Sequence, residues 1–244
     1  MSGLANFKLS LYHEIKTVFL PDWGYVETIT DETLTQPDSS VNLYQFAHKN
    51  IVYADPSGRI NPSGVKIYDA GRQLVLSEYR VNYVDSYVEL NITPSGTIKA
   101  DYQYYTVDVR DAFPTEEEFE AADLPLVCVD LASNTPSDYA IGQILSFWRM
   151  DYFIDIFATT DIMRLELMDR LQRHLMKWLP LLDFSLGMPL NYDGTINTGF
   201  NWDNQFVKWI KMKGKPIGDL LNFGDVSPKE RFRAVIKGSF TDIH

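Results

Sequence analysis

Four glutamates, Glu116, Glu117, Glu118 and Glu120, form the densest group of side chains that could do acid–base chemistry. A pair of carboxylates that flanks a glycosidic bond is the catalytic set of glycoside hydrolases. Those carboxylates normally come from separate strands, whereas adjacent acids are typical of a solvated helix start. Thr115, three residues before Glu118, completes a capping-box pattern. The group therefore predicts a short acidic helix or loop, and catalysis is the less favoured interpretation.

The other chemically active side chains lack the spacing that their chemistry requires. The histidines are His13, His48, His174 and His244. None has a second His or Cys at metal-ligand spacing, and His174 is interpreted as a surface or interface residue. Cys128 lies between two valines, which predicts a buried and unreactive thiol. No nucleophile elbow, Walker loop or dinucleotide-binding glycine motif is present, so we expect neither catalysis nor a cofactor or metal.

The oxygen-rich segment 191–197 contains Asp193 and Gly194 but lacks the ligand spacing of a calcium loop. A plain Asp-Gly turn is the favoured interpretation.

Basic residues concentrate in one late part of the chain. They are Lys208, Lys211, Lys213, Lys215, Arg231, Arg233 and Lys237. One interpretation is an assembly surface that meets the acidic region 111–138 of a neighbouring copy, including Glu116, Glu117 and Glu118. The other is a set of solvated strand faces. Charge segregated along a chain can give a head-to-tail oligomer two unlike faces, and both interpretations stay open.

The composition is that of a folded, aromatic-rich and acidic protein. Of the 244 residues, 45% are apolar, with five Trp, fourteen Tyr and fourteen Phe, which excludes a disordered chain. No apolar run reaches the roughly 18 to 20 residues that span a bilayer, and the first residues lack the pattern of a secretion signal. We expect a soluble protein made in a cytoplasm. The net charge of -11 argues against a protein that grips nucleic acid by neutralising phosphates.

Residues 144–179 carry the clearest structural signal, because the hydrophobic period changes within them. Alternation over 144–158 predicts a long strand. At Thr159, Thr160 and Asp161 the period becomes helical, with a hydroxyl to cap the helix and a carboxylate at its positive end. The helix is predicted to span 161–179 and to end before Pro180. Its predicted buried stripe is Leu165, Met168, Leu171, Leu175 and Trp178.

Residues 4–20 show a second helical pattern, which Pro21 is predicted to end. The apolar face is predicted to comprise Leu4, Phe7, Leu11, Ile15 and Val18. The exposed side is predicted to comprise Lys8, His13, Glu14 and Lys16. Residues 23–34 fit a short strand and a loop equally well.

Between residues 37 and 111 there is no helical period, and Gly and Pro separate short strand-like runs. The runs are 41–46, 51–54, 65–68, 73–76, 79–84, 87–92 and 97–109. The clearest hairpin turns at Asp85 and Ser86. This spacing predicts a small antiparallel sandwich or barrel.

The remaining pattern predicts a buried strand over 124–131, a loop over 132–139, a long excursion after Pro180, and strands over 205–212 and 231–240. We therefore predict an α+β fold in which helices pack on a mixed or antiparallel sheet and the β-rich module is an insertion. The predicted divisions are 1–35 for the N-terminal helix of the core, 36–111 for the inserted module and 112–244 for the rest of the core.

Two features resemble proteins of tailed bacteriophages. The tract YRVNYVDSYVEL followed by PSGTIKADYQY, within 79–104, resembles a β-module of phage structural proteins. The element order is similar to that of neck and tail-terminator proteins: a first helix, a strand at LPLVCV, a long strand that ends at YFIDIFA, and a helix from Asp161. The chain departs from small terminators in the size of the insertion and in the excursion after Pro180.

The resemblance implies a non-enzymatic virion protein that forms a ring, usually hexameric. Such rings terminate the tail tube and join it to the head connector, and the genome passes through them during DNA ejection. The implied partners are further copies, other neck, connector and tail-tube proteins, and duplex DNA that passes without specific binding. No membrane partner is expected, and the implied location is the virion after assembly in the host cytoplasm. Terminator, stopper and other neck roles stay open.

The alternative is a carbohydrate-binding or hydrolytic module with an acidic, aromatic-lined cleft. The many Trp and Tyr residues and the acidic cluster favour it.

Overall fold

The computed structural model describes residues 3–38, 42–54, 61, 64–137, 147–176, 178–212, 215–221 and 232–243. In chain order the elements are α1 (Gly3–Glu14), a π-helical segment (Ile15–Phe19), α2 (Leu20–Asp22), β1 (Val26–Thr33), β2 (Leu43–Gln45), β3 (Lys66–Asp69), β4 (Arg72–Gln73), β5 (Tyr79–Asn82), β6 (Tyr87–Leu90), β7 (Ile98–Tyr105), β8 (Asp108–Arg110), α3 (Glu116–Ala121), β9 (Leu126–Ser137), β10 (Phe147–Phe157), α4 (Asp161–His174), β11 (Trp178–Leu182), a 3-10 turn (Phe184–Leu186), α5 (Trp202–Gln205), β12 (Phe206–Met212), β13 (Ile217–Leu221) and β14 (Arg233–Ile243).

This is an α+β protein whose chain divides into two compact units. Unit 1 comprises Met1–Trp23, Val107–Ser185 and Gln205–His244, and unit 2 comprises Gly24–Thr106 and Leu186–Asn204. These boundaries differ from the predicted insertion at 36–111. Unit 2 starts earlier because β1, within the ambiguous residues 23–34, pairs with β7. Within the predicted excursion after Pro180, Leu186–Asn204 also belong to unit 2.

Unit 1 is built on a sheet with the strand order β11-β12-β14-β10-β9-β8, and β13 also pairs with β14. Only the pair of β8 and β9 is parallel among these strands. The predicted long strand is confirmed as β10, which pairs with β9 and β14 along its length. Its residues Met150, Tyr152, Ile154 and Ile156 are buried on one side of the sheet.

Helices α1 and α4 cover that side. The ring centre of Phe7 in α1 lies 5.6 Å from that of Phe240 in β14. Phe240 pairs with Met150 and therefore projects from the same side. A Cβ placed on Gly218 of β13 would meet Met168 of α4, so this helix packs closely against the neighbouring strand.

The first helix is confirmed, with differences at its end and on its exposed side. Phe7, Leu11 and Ile15 are buried as predicted, but so are His13 and Glu14, which were predicted to be exposed. The helix also continues past Pro21 to Asp22. Proline is tolerated there because it stands in the first turn of α2, where its missing N–H is not required.

The second helix is shorter than predicted. Thr160 caps it as expected, because its hydroxyl accepts a hydrogen bond of 3.2 Å from the Met163 N–H. The helix ends at His174, and the predicted stripe is wrong at Leu165, which is exposed, and at Trp178, which lies in β11. The buried residues of α4 are Arg164, Leu167, Leu171 and His174. Pro180 does not end the helix but stands inside β11, which is an edge strand and can accept a proline.

Unit 2 contains two antiparallel sheets, ordered β1-β7-β3-β4 and β2-β6-β5. One core joins them, since Ile67 and Ile98 of the first sheet pack in the same cluster as Val81 and Val88 of the second. The predicted hairpin is present as β5 and β6. The predicted run 51–54 forms only an isolated bridge at Ile51.

Among the described residues, no helix combines the length and the apolar character that a bilayer crossing requires.

Candidate assembly surfaces

Strands β11 and β12 form an antiparallel pair that has a buried face and an exposed aromatic face. Leu179 and Ile210 pair in register and are buried. On the other face, Trp178 pairs with Lys211, and the Lys211 Nζ atom lies 5.9 Å from the centre of the Trp178 ring. Trp178 and Trp209 are 52% and 57% exposed. Two large aromatic side chains on one exposed strand face are typical of a surface that binds another molecule.

The exposed face of this strand pair continues across the sheet as one row of residues paired in register. Trp178, Lys211, Thr241 and Arg149 occupy β11, β12, β14 and β10 and pair in register. Residues that pair directly project from the same side, and this side is opposite to the one that carries Tyr152. We call it the open face of unit 1, because α1 and α4 lie on the other side.

A groove of about 340 Å³ lies on the open face beside this row. Its lining includes Arg149, Asp151, Phe153, Lys215, Ile217 and Lys237. Phe153 and Ile217 both pair with Lys237, so apolar and basic side chains alternate across the strands. The groove therefore extends the mixed basic and aromatic character of the β11–β12 pair.

The end of the open face that carries the row and the groove is basic, although the protein is acidic overall. Arg149 Nε donates to Asp151 at 2.7 Å, and Lys237 Nζ donates to Asp219 at 2.9 Å. Neither Lys211 nor Lys215 has a carboxylate partner among the described residues. In the row and the groove, the four cations Arg149, Lys211, Lys215 and Lys237 thus lie beside two carboxylates, in a chain with a net charge of -11.

The predicted basic cluster is divided by the fold. Lys211, Lys215 and Lys237 lie on the open face, joined by Arg149, which the sequence did not indicate. Lys208 pairs with Leu181 and projects from the opposite face of β12. This separation follows from strand alternation, because neighbouring positions of opposite parity cannot share a face.

The other predicted basic residues do not add to the open face at this end. Lys213 and Arg231 lie outside the described residues. Arg233 donates to Asp155 from Nε at 2.9 Å and from its terminal nitrogen at 2.6 Å, and its guanidinium lies 5.5 Å from the Phe113 ring. Arg233 is therefore held within the chain, at the far end of β14.

The predicted acidic helix is confirmed as α3, with its capping box. Thr115 Oγ1 accepts from the Glu118 N–H at 3.3 Å, and the Glu118 carboxylate accepts from the Thr115 N–H at 2.8 Å. The Thr115 N–H and the Thr115 hydroxyl, which donates to the same carboxylate at 2.9 Å, lower the pKa of Glu118. Glu118 thus serves as a cap, while Glu116 and Glu117 are exposed and make no ion pair with the described residues.

An aromatic cluster anchors α3 to the sheet. The rings of Phe119 and Phe157 lie 4.8 Å apart, edge to face, and both are buried. Phe113 packs against both rings but stays 44% exposed. We call Phe113, Glu116 and Glu117 the α3 surface.

The β11–β12 pair on the open face and the α3 surface lie at opposite ends of β14. Lys211 pairs with Thr241 near one end of this strand, whereas Arg233 at its start contacts Phe113. The eight residue steps from 233 to 241 span about 27 Å of extended strand. The two surfaces therefore cannot meet within one copy.

A buried polar contact between the two helices was not predicted. The His174 Nε2 atom lies 2.9 Å from the Glu14 carboxylate, and both residues are buried. The interpretation of His174 as a surface or interface residue is therefore wrong. The contact holds α1 against α4.

Cys128 is buried as predicted. Burial, and next the neighbouring Asp155, raise the pKa of its thiol to about 12, so it stays protonated.

A polar network in unit 2 was also not predicted. His48 Nδ1 lies 2.8 Å from the Tyr102 hydroxyl, which donates to Glu32 at 2.6 Å. The His48 ring stacks on Tyr104 at 4.1 Å. Burial, and next the hydrogen bond to Glu32, raise the pKa of Tyr102. These contacts tie the loop after β2 to β1 and β7. Within the described residues, no group of three or more His, Cys, Asp or Glu side chains is arranged to hold a metal ion.

Unit 2 also contains a groove of about 640 Å³. Its lining is mainly apolar and includes Leu74, Val75, Leu76, Tyr79 and Val81. The charged side chains that line it are Lys66 and Arg80, and Arg80 forms an ion pair with Asp193. Asp193 stands in the predicted Asp-Gly turn, which the positive φ of Gly194 completes. Neither this groove nor the one on the open face places two carboxylates opposite each other.

Comparisons with family models, with curated proteins and with solved structures find no match to this chain.

Proposed function

We propose that the protein is a structural component of a tailed-phage virion, which forms a ring in the neck, terminates the tail tube and joins it to the head. The observation that carries this proposal is the open face of unit 1, where Trp178 and Trp209 are exposed beside Lys211. An exposed aromatic surface with basic neighbours suits a protein that functions by assembly.

The element order supports the phage assignment. A first helix, α1, is followed by the inserted unit 2, then by β9 and the long strand β10, and then by α4 on the sheet. This is the order on which the resemblance to neck and tail-terminator proteins rests. The parts of that resemblance lie in unit 1, apart from the β-module, which lies in unit 2.

The charge supports the passage of DNA through such a ring. A net charge of -11 repels phosphates, so a lumen lined by acidic side chains would let the duplex slide without holding it. The basic side chains of the open face would then face protein neighbours.

The direct test is the location of the chain in purified phage particles. We expect cryo-electron microscopy to show a ring of this chain between the head connector and the tail tube. In solution, light scattering is expected to give a mass near six times the 28.0 kDa of one chain. Intact particles that lack density for the chain would refute the proposal.

A carbohydrate-binding function is the second candidate, because Trp178 and Trp209 form an exposed platform on which a sugar ring could stack. A glycan array tests it, with Trp209→Ser as the control variant. Glycan binding that this substitution abolishes would favour the second candidate over the first.

A further inference from the structure

We propose that the open face of unit 1 binds the α3 surface of a second copy, so that neighbouring copies join head to tail. This inference rests on the proposed function, because it names the two surfaces through which the ring would form. It commits to one contact, between the region of Trp178, Trp209 and Lys211 on one copy and Phe113, Glu116 and Glu117 on the next.

Charge complementarity selects the second copy as the partner. Lys211 and Lys215 on the open face have no carboxylate partner among the described residues, and Glu116 and Glu117 make no ion pair there. An acidic helix placed over the open face would supply carboxylates to these lysines. Opposite charges across an interface guide association and set its orientation.

The apolar parts of the two surfaces match as well. Trp178 and Trp209 are 52% and 57% exposed on the open face, and Phe113 is 44% exposed beside α3. Each surface therefore has an aromatic centre and a charged border, which is the usual anatomy of a protein interface. Tryptophans in such centres commonly contribute most of the binding energy.

Because the two surfaces lie apart, each copy can form the same contact with two neighbours. The surfaces lie at opposite ends of β14, so a copy that uses its open face for one neighbour still offers its α3 surface to another. Contacts between unlike surfaces generate a closed ring when the rotation between copies closes. The geometry therefore fits a ring better than a two-fold dimer.

Duplex DNA is the competing occupant of a basic and aromatic face. The second copy is favoured because Asp151 and Asp219 lie among the cations of the open face, where they would repel phosphates. The net charge of -11 adds repulsion at longer range.

The test uses two variants of the full chain that each disable one surface. The open-face variant carries Lys211→Glu and Lys215→Glu, and the α3 variant carries Glu116→Lys and Glu117→Lys. A variant with Lys49→Glu and Lys66→Glu in unit 2 is the charge-matched control for the open-face variant. Because lysines in the first turn of α3 oppose the helix dipole, a second α3 variant with Glu116→Gln and Glu117→Gln keeps the capping box while removing the charge. Circular dichroism confirms that each variant is folded.

Association is measured by sedimentation velocity of each protein. Concentrations up to about 1 mM allow dissociation constants in the millimolar range to be detected. We expect the wild type and the control to form oligomers, and each disabled variant to associate at least about tenfold more weakly. In a 1:1 mixture of the two disabled variants, both contacts between unlike variants join opposite charges, because one keeps the native pairing and the other pairs the reversed charges. It should therefore form oligomers in which the two variants alternate. The chain that carries all four charge reversals should regain association, because the reversed charges again face each other.

Several results would overturn the inference. They are a monomeric wild type up to the highest concentration, oligomers that neither variant weakens, and a mixture of the disabled variants that associates no more strongly than either variant alone. Duplex DNA binding by the wild type that the open-face variant abolishes would assign this face to DNA. These outcomes are separate from the proposed function: a ring that neither variant weakens refutes only the docking surfaces, whereas head-to-tail pairing by a chain absent from particles refutes only the neck role.

Discussion

His13 is neutral in the folded protein and makes the stability of unit 1 sensitive to acid. Its burial, and next the neighbouring Lys16, lower the pKa of His13 from 6.5 to about 3. The ring stacks on Phe184 at 5.0 Å. The unfolded chain binds a proton near pH 6.5, so this contribution to stability is complete above that pH and is lost as the pH falls from 6.5 towards 3. At about 1.4 kcal/mol per pH unit, the loss at pH 5 is roughly 2 kcal/mol.

His13→Leu removes this titration. We expect the variant to lose less stability than the wild type between pH 7 and pH 5, as measured by urea unfolding at both values. An equal loss in the two proteins would show that His13 does not account for the acid sensitivity.

At the scale of the element, α4 depends on Leu171, which is buried against the sheet of unit 1. Leu171→Asp places a carboxylate there without a partner, at a cost of several kcal/mol, and is expected to prevent soluble folding. Ile162→Asp on the same helix is the matched control, because Ile162 is 78% exposed. Soluble yield and far-ultraviolet circular dichroism measure both variants. A Leu171→Asp protein that folds normally but fails to assemble would place this side chain at an interface.

The predictability of α4 shows what a hydrophobic pattern can and cannot provide. Its start could be predicted, because the Thr160 cap is a local interaction. Its buried stripe could not, because two of the buried positions are polar. Arg164 donates to the Arg233 carbonyl oxygen at 3.2 Å and pairs with Asp161, and His174 pairs with Glu14. A count of apolar residues alone therefore adds Leu165 to the stripe and leaves out Arg164 and His174.

The assembly surfaces were only partly predictable for a related reason. The capping box, with Glu116 and Glu117 beside it, is a local pattern in the sequence. The open face depends instead on the pairing of Trp178, Lys211 and Arg149 across strands that are distant in the chain. Trp178 also fits the helical period of α4, although Pro180 two residues later is compatible with an edge strand.

At the scale of the whole molecule, the net charge of -11 predicts that duplex DNA is not held. We expect both the wild type and a Lys211→Glu, Lys213→Glu variant to show negligible binding at physiological salt, and the variant to assemble less well. Non-specific binders show dissociation constants of roughly 10⁻⁴ to 10⁻⁶ M under these conditions. Fluorescence anisotropy with labelled duplex measures the affinity. Wild-type binding at the tight end of that range, lost in the variant, would make the open face a DNA-gripping surface.

The position of β14 has a consequence for the timing of synthesis. This strand lies between β10 and the pair of β12 and β13, yet it follows all of them in the chain. While a nascent chain is still on the ribosome, β10 lacks one of its two partners, and neither the row through Thr241 nor the contact of Arg233 with Asp155 can exist. Incomplete chains therefore cannot present either of the proposed docking surfaces in its final form. In the proposed ring, assembly would be restricted to chains that have been translated through β14, and truncated copies would be excluded.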